Sequence, residues 1–213
     1  MIAIIDYGAG NLRSVANAVS SLGYAPEITS DPATVLRAEA VIFPGVGAAG
    51  DTMKNLVKTG MAEAVCRLIE ADRHLFAVCV GMQVLFGYTE EGGHHCLGVM
   101  PGTVKRLPAG LKVPHMGWNQ VNQIAACPLF DGIPDRTNFY FVHSYYPDPD
   151  DASVVAGTTE YGVSFCSVAV RGNLVATQFH PEKSGRWGLE MYDNFLKLAT
   201  APGKHFLHQG ATT

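Results

Sequence analysis

Three side chains in this sequence have the types and settings for nucleophilic chemistry: Cys79, His180 and Glu182. Cys79 lies in FAVCVGMQ (76–83), where a β run ends at Val78 and a helical pattern, GMQVLF (81–86), starts within two residues. A cysteine on such a turn stands at the carboxyl edge of a sheet, where open α/β sheets bind their ligands. The partial positive charge at the start of the next helix favours a thiolate, and Gly81 leaves room for close backbone approach. This is the logic of the G-x-S-x-G nucleophile turn, with Ala77 in place of the first glycine. A nucleophile needs a base. His180 ends an apolar strand in ATQFHPEKSG (176–185), and Glu182 follows two residues later. In extended backbone, residues i and i+2 point the same way, so the carboxylate can orient the imidazole and stabilise imidazolium. The local patterns also fit a small buried thiol and a surface His-Pro turn with a solvated carboxylate.

A second candidate is GVGAAG (45–50), which places Gly45, Gly47 and Gly50 in a G-x-G-x-x-G pattern after the apolar run AVIF (40–43). Dinucleotide-binding proteins use that pattern between strand and helix. There it usually opens the first βα turn, whereas here two strands precede it and Pro44 stands before the first glycine. The remaining histidines carry weaker claims. His94-His95-Cys96 has no second ligand group at metal-binding spacing, so no metal site is expected, and His205 and His208 lie in a polar tail.

The elements that must hold these residues alternate. IAII (2–5), YAPEIT (24–29), EAVIF (39–43) and HLFAV (74–78) read as strands. Between them, residues 11–23 carry Leu12, Val15, Ala16, Val19 and Leu22 on one helical face and stop at Gly23. Asp31-Pro32 caps a short helix, and MAEAVCRLIEA (61–71) is another. Such alternation predicts a parallel sheet covered on both faces. Residues 87–98 read as a polar, glycine-rich loop. From 99 to 178 short strand patterns recur, with Arg171-Gly172-Asn173 as a tight hairpin turn. An amphipathic helix over 187–199 closes the fold. The expected class is α/β: one three-layer domain over 1–200, its central sheet mixed but mainly parallel and flanked by helices, with antiparallel strands in the C-terminal half and a loose tail over 201–213.

Composition narrows the function. The chain has 213 residues, 47% hydrophobic and only 16% charged, with a formal charge of −4. That excludes extensive disorder, and without a basic run nothing recommends nucleic acid or an anionic membrane as partner. No apolar run approaches the ~18–20 residues of a membrane span, and MIAIIDYG lacks the basic start of a signal peptide. The cysteines number five, an odd count without C-x-x-C, so a reducing cytoplasm without disulfides is expected.

Four segments, DYGAGNLRSV (6–15), PGVG (44–47), PHMGWN (114–119) with FVHSYY (141–146), and QFHPEKSG (178–185), together with AVCVGMQ around Cys79, resemble the class I (triad-type) glutamine amidotransferases. The resemblance spans nearly the whole chain and is closest to the glutaminase subunits of imidazole glycerol phosphate synthases. It implies glutamine hydrolysis to glutamate and ammonia without a cofactor. Cys79, His180 and Glu182 would form the triad, and backbone at Gly47 and Val80 the oxyanion hole. Gly45, Gln83, Ser144 and Tyr145 would hold the substrate. The implied partner is a (β/α)8 cyclase subunit, which would take the ammonia to make imidazole glycerol phosphate and aminoimidazole carboxamide ribotide. Asn11, Arg13, Trp118, Asn119, Tyr140 and Lys183 would face it. Ala77 is a departure, since the family usually has glycine there; alanine suits unless that backbone needs a positive φ.

The triad alone does not separate this reading from amidotransferases of anthranilate, purine or carbamoyl phosphate synthesis; YGAGNLRSV and PHMGWN tilt towards the histidine pathway. A γ-glutamyl hydrolase or peptidase-like enzyme would work alone on peptides or polyglutamates. A non-catalytic interaction module would be favoured by loss of a triad residue, and all three are present. A dinucleotide binder would copurify with nicotinamide or flavin.

Overall fold

Residues 1–201 are described by the computed structural model; of the tail expected over 201–213, all but Ala201 lies outside the described residues. The apolar runs become central strands because every residue in them is buried. β1 (Ile2–Ile5) and β3 (Ala40–Phe43) are buried throughout, as strands covered by helices on both faces must be. Between them lie α1 (Leu12–Ser21), β2 (Pro26–Thr29) and α2 (Pro32–Arg37). The Asp31 carboxylate caps α2 by accepting from the backbone N–H groups of Ala33 and Thr34, and Pro32 fills the first turn. After β3 come α3 (Ala49–Lys58), α4 (Met61–Glu70) and β4 (His74–Val78).

The second half contains α5 (Val80–Gln83), β5 (Phe86–Thr89), β6 (His94–His95), β7 (Met100–Arg106), β8 (His115–Gln123), β9 (Thr137–His143), β10 (Tyr145–Pro149), β11 (Val155–Glu160), β12 (Ser164–Arg171), β13 (Leu174–Thr177) and α6 (Gly185–Thr200). The main sheet has nine strands in the order β2-β1-β3-β4-β13-β12-β11-β8-β9. Its first five are mutually parallel and the rest antiparallel. The order reverses between β1 and β3, so the crevice for a ligand opens at the carboxyl ends of the central strands. α1 packs on α6, and α4 on α2 and α3. Aromatic packing seats α6 on the sheet, with Tyr192 and Phe195 each 5.2 Å from Phe76 between ring centroids. The two-residue turn at Gly172-Asn173 closes β12 onto β13, with Arg171 opposite Leu174 and Gly172 at φ 57°.

Four local expectations need correction. The helix after Cys79 is the single turn α5, since the chain enters β5 at Phe86; an apolar run such as VGMQVLF has no period to tell helix from strand. Residues 87–98 are not one loop but contain the antiparallel pair β5–β6. α3 follows the glycine loop, where no helix was expected. It buries only Ala49, Thr52 and Leu56, so its apolar stripe is thin. Finally, not all the antiparallel strands join the core sheet: β10-β7-β5-β6 form a separate four-stranded sheet. The NFYFVHSYY run breaks at Ser144, sending β9 to the main sheet and β10 to the small one.

No helix among the described residues is long and apolar enough to cross a membrane. All five cysteines are free.

Candidate active site

The parallel register places three loops side by side. Phe43 pairs with Ala77, and Thr177 with Val78, so the chain segments leaving β3, β4 and β13 emerge at one edge. Ala77 is a buried strand residue without positive φ, which is why alanine serves there. Cys79 itself has φ 53° and ψ −112°, a conformation that costs a non-glycine residue roughly 1–3 kcal/mol. Two backbone bonds hold it there: Cys79 N–H donates to Thr177 O at 2.7 Å, and Gln83 N–H to Cys79 O at 3.1 Å. The strain keeps the thiol at the mouth of the turn.

Of the glycines of GVGAAG, Gly45 packs on this turn. A Cβ on Gly45 would lie 2.2 Å from Gly81 N, and a Cβ on Gly81 would lie 2.5 Å from Phe43 O. These two glycines let the 44–47 loop rest against the backbone of the cysteine turn. Gly47 has open space around it but φ 93°, so its requirement is conformational. Val80 N–H, first in α5, has no partner within its helix and can donate outwards.

His180 Nδ1 meets Glu182 Oε1 at 2.8 Å, with both side chains only 2% exposed. The contact forms through a 3₁₀ turn, Pro181–Lys183, rather than the extended backbone expected. His180 N–H donates to Tyr140 O at 2.9 Å, anchoring the turn on β9. Burial alone would lower the His180 pKa; the neighbouring Cys79 sulfur and Glu182 carboxylate outweigh it and raise it to about 10. An imidazole kept protonated is the partner that a thiolate needs.

Cys79 and His180 line a cavity of about 390 Å³ with Gly47, Val80, Gln83 and Glu91, at the small end for ligand sites. Ser144, Tyr145 and Lys183 also border it, whereas Gly45 does not. Gln83 is buried. Its Nε2 donates to Tyr145 O and to Gln178 Oε1, both at 2.9 Å, leaving Oε1 for a ligand. Of the residues expected at a partner surface, Arg13, Trp118 and Lys183 are exposed, and Asn11, Asn119 and Tyr140 half-buried. Trp118 and Tyr140 pair across β8 and β9 with ring centroids 6.0 Å apart. Asn119 instead turns its amide inwards, to Glu160 O at 2.9 Å and His115 Nε2 at 3.3 Å.

Sequence reasoning missed four polar residues. Glu91 lines the cavity and accepts from Ala49 N–H at 2.7 Å, capping α3 directly after the glycine loop. Gln178 donates from Nε2 to Cys79 Sγ at 3.5 Å; the i, i+2 rule that led from His180 to Glu182 also leads back to it. His115 and His143 form a buried pair, Nδ1 to Nε2, at 2.9 Å. Only the register of β8 with β9, which sets them opposite each other, reveals that pair. Among the described residues, no three His, Cys, Asp or Glu side chains are grouped as a metal would require.

A nucleophile on a strained turn, a carboxylate-backed imidazole and a free backbone donor at Val80 around one cavity can carry out acyl transfer from an amide. Comparison with known proteins points to amidotransferases. "Imidazole glycerol phosphate synthase subunit HisH" of Dehalococcoides mccartyi (strain CBDB1) is 58% identical over 205 residues, 96% of this chain and 100% of that protein. The protein of the same name from Moorella thermoacetica (strain ATCC 39073 / JCM 9320) is 53% identical, over 95% of this chain and 97% of its own length. Among solved structures, one described as a glutamine amidotransferase has a TM-score of 0.75 at 20% identity, covering 94% of this chain and 100% of that one. PurLQS from Thermotoga maritima has a TM-score of 0.68 at 16% identity, covering 92% and 97%; at such identities the likeness concerns the fold. The family model "Glutamine amidotransferase class-I" matches residues 3–199, and the chain belongs to that family.

Proposed function

We propose that this chain is the glutaminase subunit of an imidazole glycerol phosphate synthase, with residues 1–200 as its amidotransferase domain. The observation that carries the chemistry is the strained Cys79 beside a buried His180–Glu182 pair in one cavity. The pathway follows from the likeness to the HisH proteins over nearly the full chain. The Cys79 thiolate attacks the carboxamide carbon of glutamine, and the negative charge that develops on its oxygen is met by backbone N–H at Gly47 and Val80. His180 takes the thiol proton and gives it to the departing ammonia, leaving a γ-glutamyl thioester. Water then attacks that thioester, with His180 as base, and releases glutamate and the thiol. Glu182 orients His180 throughout. Gly45 braces the oxyanion loop, while Gln83 Oε1 and the backbone at Ser144 and Tyr145 hold the amino-acid head. Glu91, the carboxylate at the wall of the cavity, pairs with the α-ammonium group.

The ammonia passes to a (β/α)8 cyclase subunit, which makes imidazole glycerol phosphate and aminoimidazole carboxamide ribotide. Asn11, Arg13, Trp118, Asn119, Tyr140 and Lys183 belong to the surface that meets it. The test is Cys79→Ala assayed with the cyclase. Glutamine-dependent synthesis should vanish while synthesis from added ammonia persists; glutamine-dependent synthesis that survives the substitution would refute the assignment of Cys79 as nucleophile, and loss of both activities would point to a folding or docking defect.

A further inference from the structure

Beneath the cavity runs a chain of hydrogen bonds whose direction is fixed at both ends. The Asn119 amide is oriented by Gln120 N–H, which donates to Oδ1 at 2.8 Å, and by Glu160 O, which accepts from Nδ2 at 2.9 Å. The other Nδ2 proton therefore goes to His115 Nε2. A ring nitrogen that accepts carries no proton. Burial keeps His115 neutral, its pKa lowered to about 4, so its proton is on Nδ1 and is donated to His143 Nε2 at 2.9 Å. His143 is neutral for the same reason, at about 3, and donates from Nδ1 to Tyr145 O at 2.9 Å.

The Tyr145 carbonyl can only accept, and it accepts a second bond, from Gln83 Nε2 at 2.9 Å. That fixes which end of the Gln83 amide is which, and the second Nε2 proton goes to Gln178 Oε1 at 2.9 Å. Gln178 is fully buried, and with Oε1 committed it can present only N–H to the Cys79 sulfur, at 3.5 Å. The sulfur needs such a donor. α5 is a single turn, too short for a helix dipole of any weight. The Val142 carbonyl oxygen lies 4.0 Å from the sulfur, where it opposes negative charge. The titratable groups facing the sulfur are His180, backed by Glu182, and Tyr7 from the turn after β1.

We propose that Gln178 is a further catalytic residue, donating its amide N–H to the Cys79 sulfur to hold it as the attacking thiolate, and that Gln83 is the positioning residue that fixes the Gln178 amide. The inference rests on Cys79 being the nucleophile.

The test is iodoacetamide labelling of the full chain, read on the Cys79 peptide by mass spectrometry from about pH 6 to about pH 10, where thiols and imidazoles titrate. Gln178→Met and Gln178→Leu each remove the donor, and neither places a charge or an O–H beside the sulfur. A hydrogen bond to a charged group is worth about 1.5 kcal/mol or more, so both variants should label about tenfold more slowly near neutrality and converge on the parent rate at the alkaline end. A merely structural role would slow labelling equally at every pH or leave the profile unmoved, and either result overturns the proposal. Should Gln178→Met fail to fold, Gln178→Leu carries the measurement. The nucleophile reading is judged separately. If Cys79 of the unsubstituted chain labels no faster at neutrality than the partly exposed Cys66 and Cys96, that reading fails and takes the proposal with it.

Discussion

At the scale of single residues, similar signals in the sequence hide different physical demands. Gly45 and Gly47 belong to one glycine pattern, yet the first is required by space and the second by backbone angle. Gly45→Ala would drive a Cβ into the backbone of Val80 and Gly81, which cannot yield as a side chain would. A loss of about 3 kcal/mol is expected, a fall of roughly 6–12 °C in Tm for a chain of this size. Gly47→Ala meets no neighbour but forces a positive φ, so its cost is about 1–2 kcal/mol. Its main effect should be on glutaminase turnover, with ammonia-dependent synthesis preserved. Thermal unfolding and the two assays separate the cases; equal Tm losses, or an unaffected glutaminase in Gly47→Ala, would refute the division. Cys79, His180 and Glu182 were legible because each stands in a motif whose chemistry demands its residue type. Gln178 was not: an amide announces no chemistry until its orientation is known, and that depends on Gln83 and Tyr145, distant in sequence.

At the scale of elements, legibility followed burial. β1, β3 and β4 read correctly because they are short apolar runs with turn residues between them, and β3 and β1 are buried throughout. α3 was lost because its apolar stripe is thin, and the helix after Cys79 was expected too long because the mostly apolar run VGMQVLF has no period to show where it stops. Pairing is the least visible feature, and the β8–β9 register has consequences for stability. It sets His115 against His143 in the interior, where burial lowers their pKa values to about 4 and about 3. Unfolded histidines titrate near ~6.5. Between those values the unfolded chain binds more protons than the native one, so stability is complete above pH ~6.5 and falls as the pH falls through the window. For His143, 5% exposed, the loss should approach roughly 3 kcal/mol by pH ~4, at ~1.4 kcal/mol per pH unit. His180 has the opposite sign: raised to about 10, its contribution is present below pH ~6.5 and lost as the pH rises towards 10. Urea unfolding of the parent and of His143→Gln, which can still donate and accept, checks this. The variant should lose less stability between pH ~6.5 and ~4; parallel curves would contradict the buried-pair account.

At the scale of the whole molecule, the question is why a glutaminase should leave apolar surface beside the turn that carries His180. Met116 and Trp118 project from β8 at 61% and 58% exposure, and Trp118 packs edge-on against Tyr140. Tyr140 is tied to the turn that carries His180 twice, since its carbonyl accepts from His180 N–H and its own N–H donates to Ser184 Oγ at 3.0 Å. α1, which carries Arg13, packs against the same 181–183 turn that carries Lys183. A partner seated on Trp118 and Tyr140 would therefore bear on the backbone that positions His180. A free site with every donor in place would waste glutamine, so completion of the site by the partner would suppress idle turnover. Exposed aromatic anchors of this kind account for 2 kcal/mol or more of binding in typical interfaces, about thirtyfold in affinity. The isolated chain should thus hydrolyse glutamine slowly and accelerate when cyclase and cyclase ligand are added. Trp118→Ala should leave Tm within a few degrees of the parent, because its ring is mostly solvated, but weaken cyclase binding at least tenfold and require correspondingly more cyclase for full glutaminase activity. Titration calorimetry with the cyclase and steady-state glutaminase assays over a range of cyclase concentrations provide the measurement. Equal turnover with and without cyclase would remove the coupling, and unaltered affinity of Trp118→Ala would move the docking surface elsewhere.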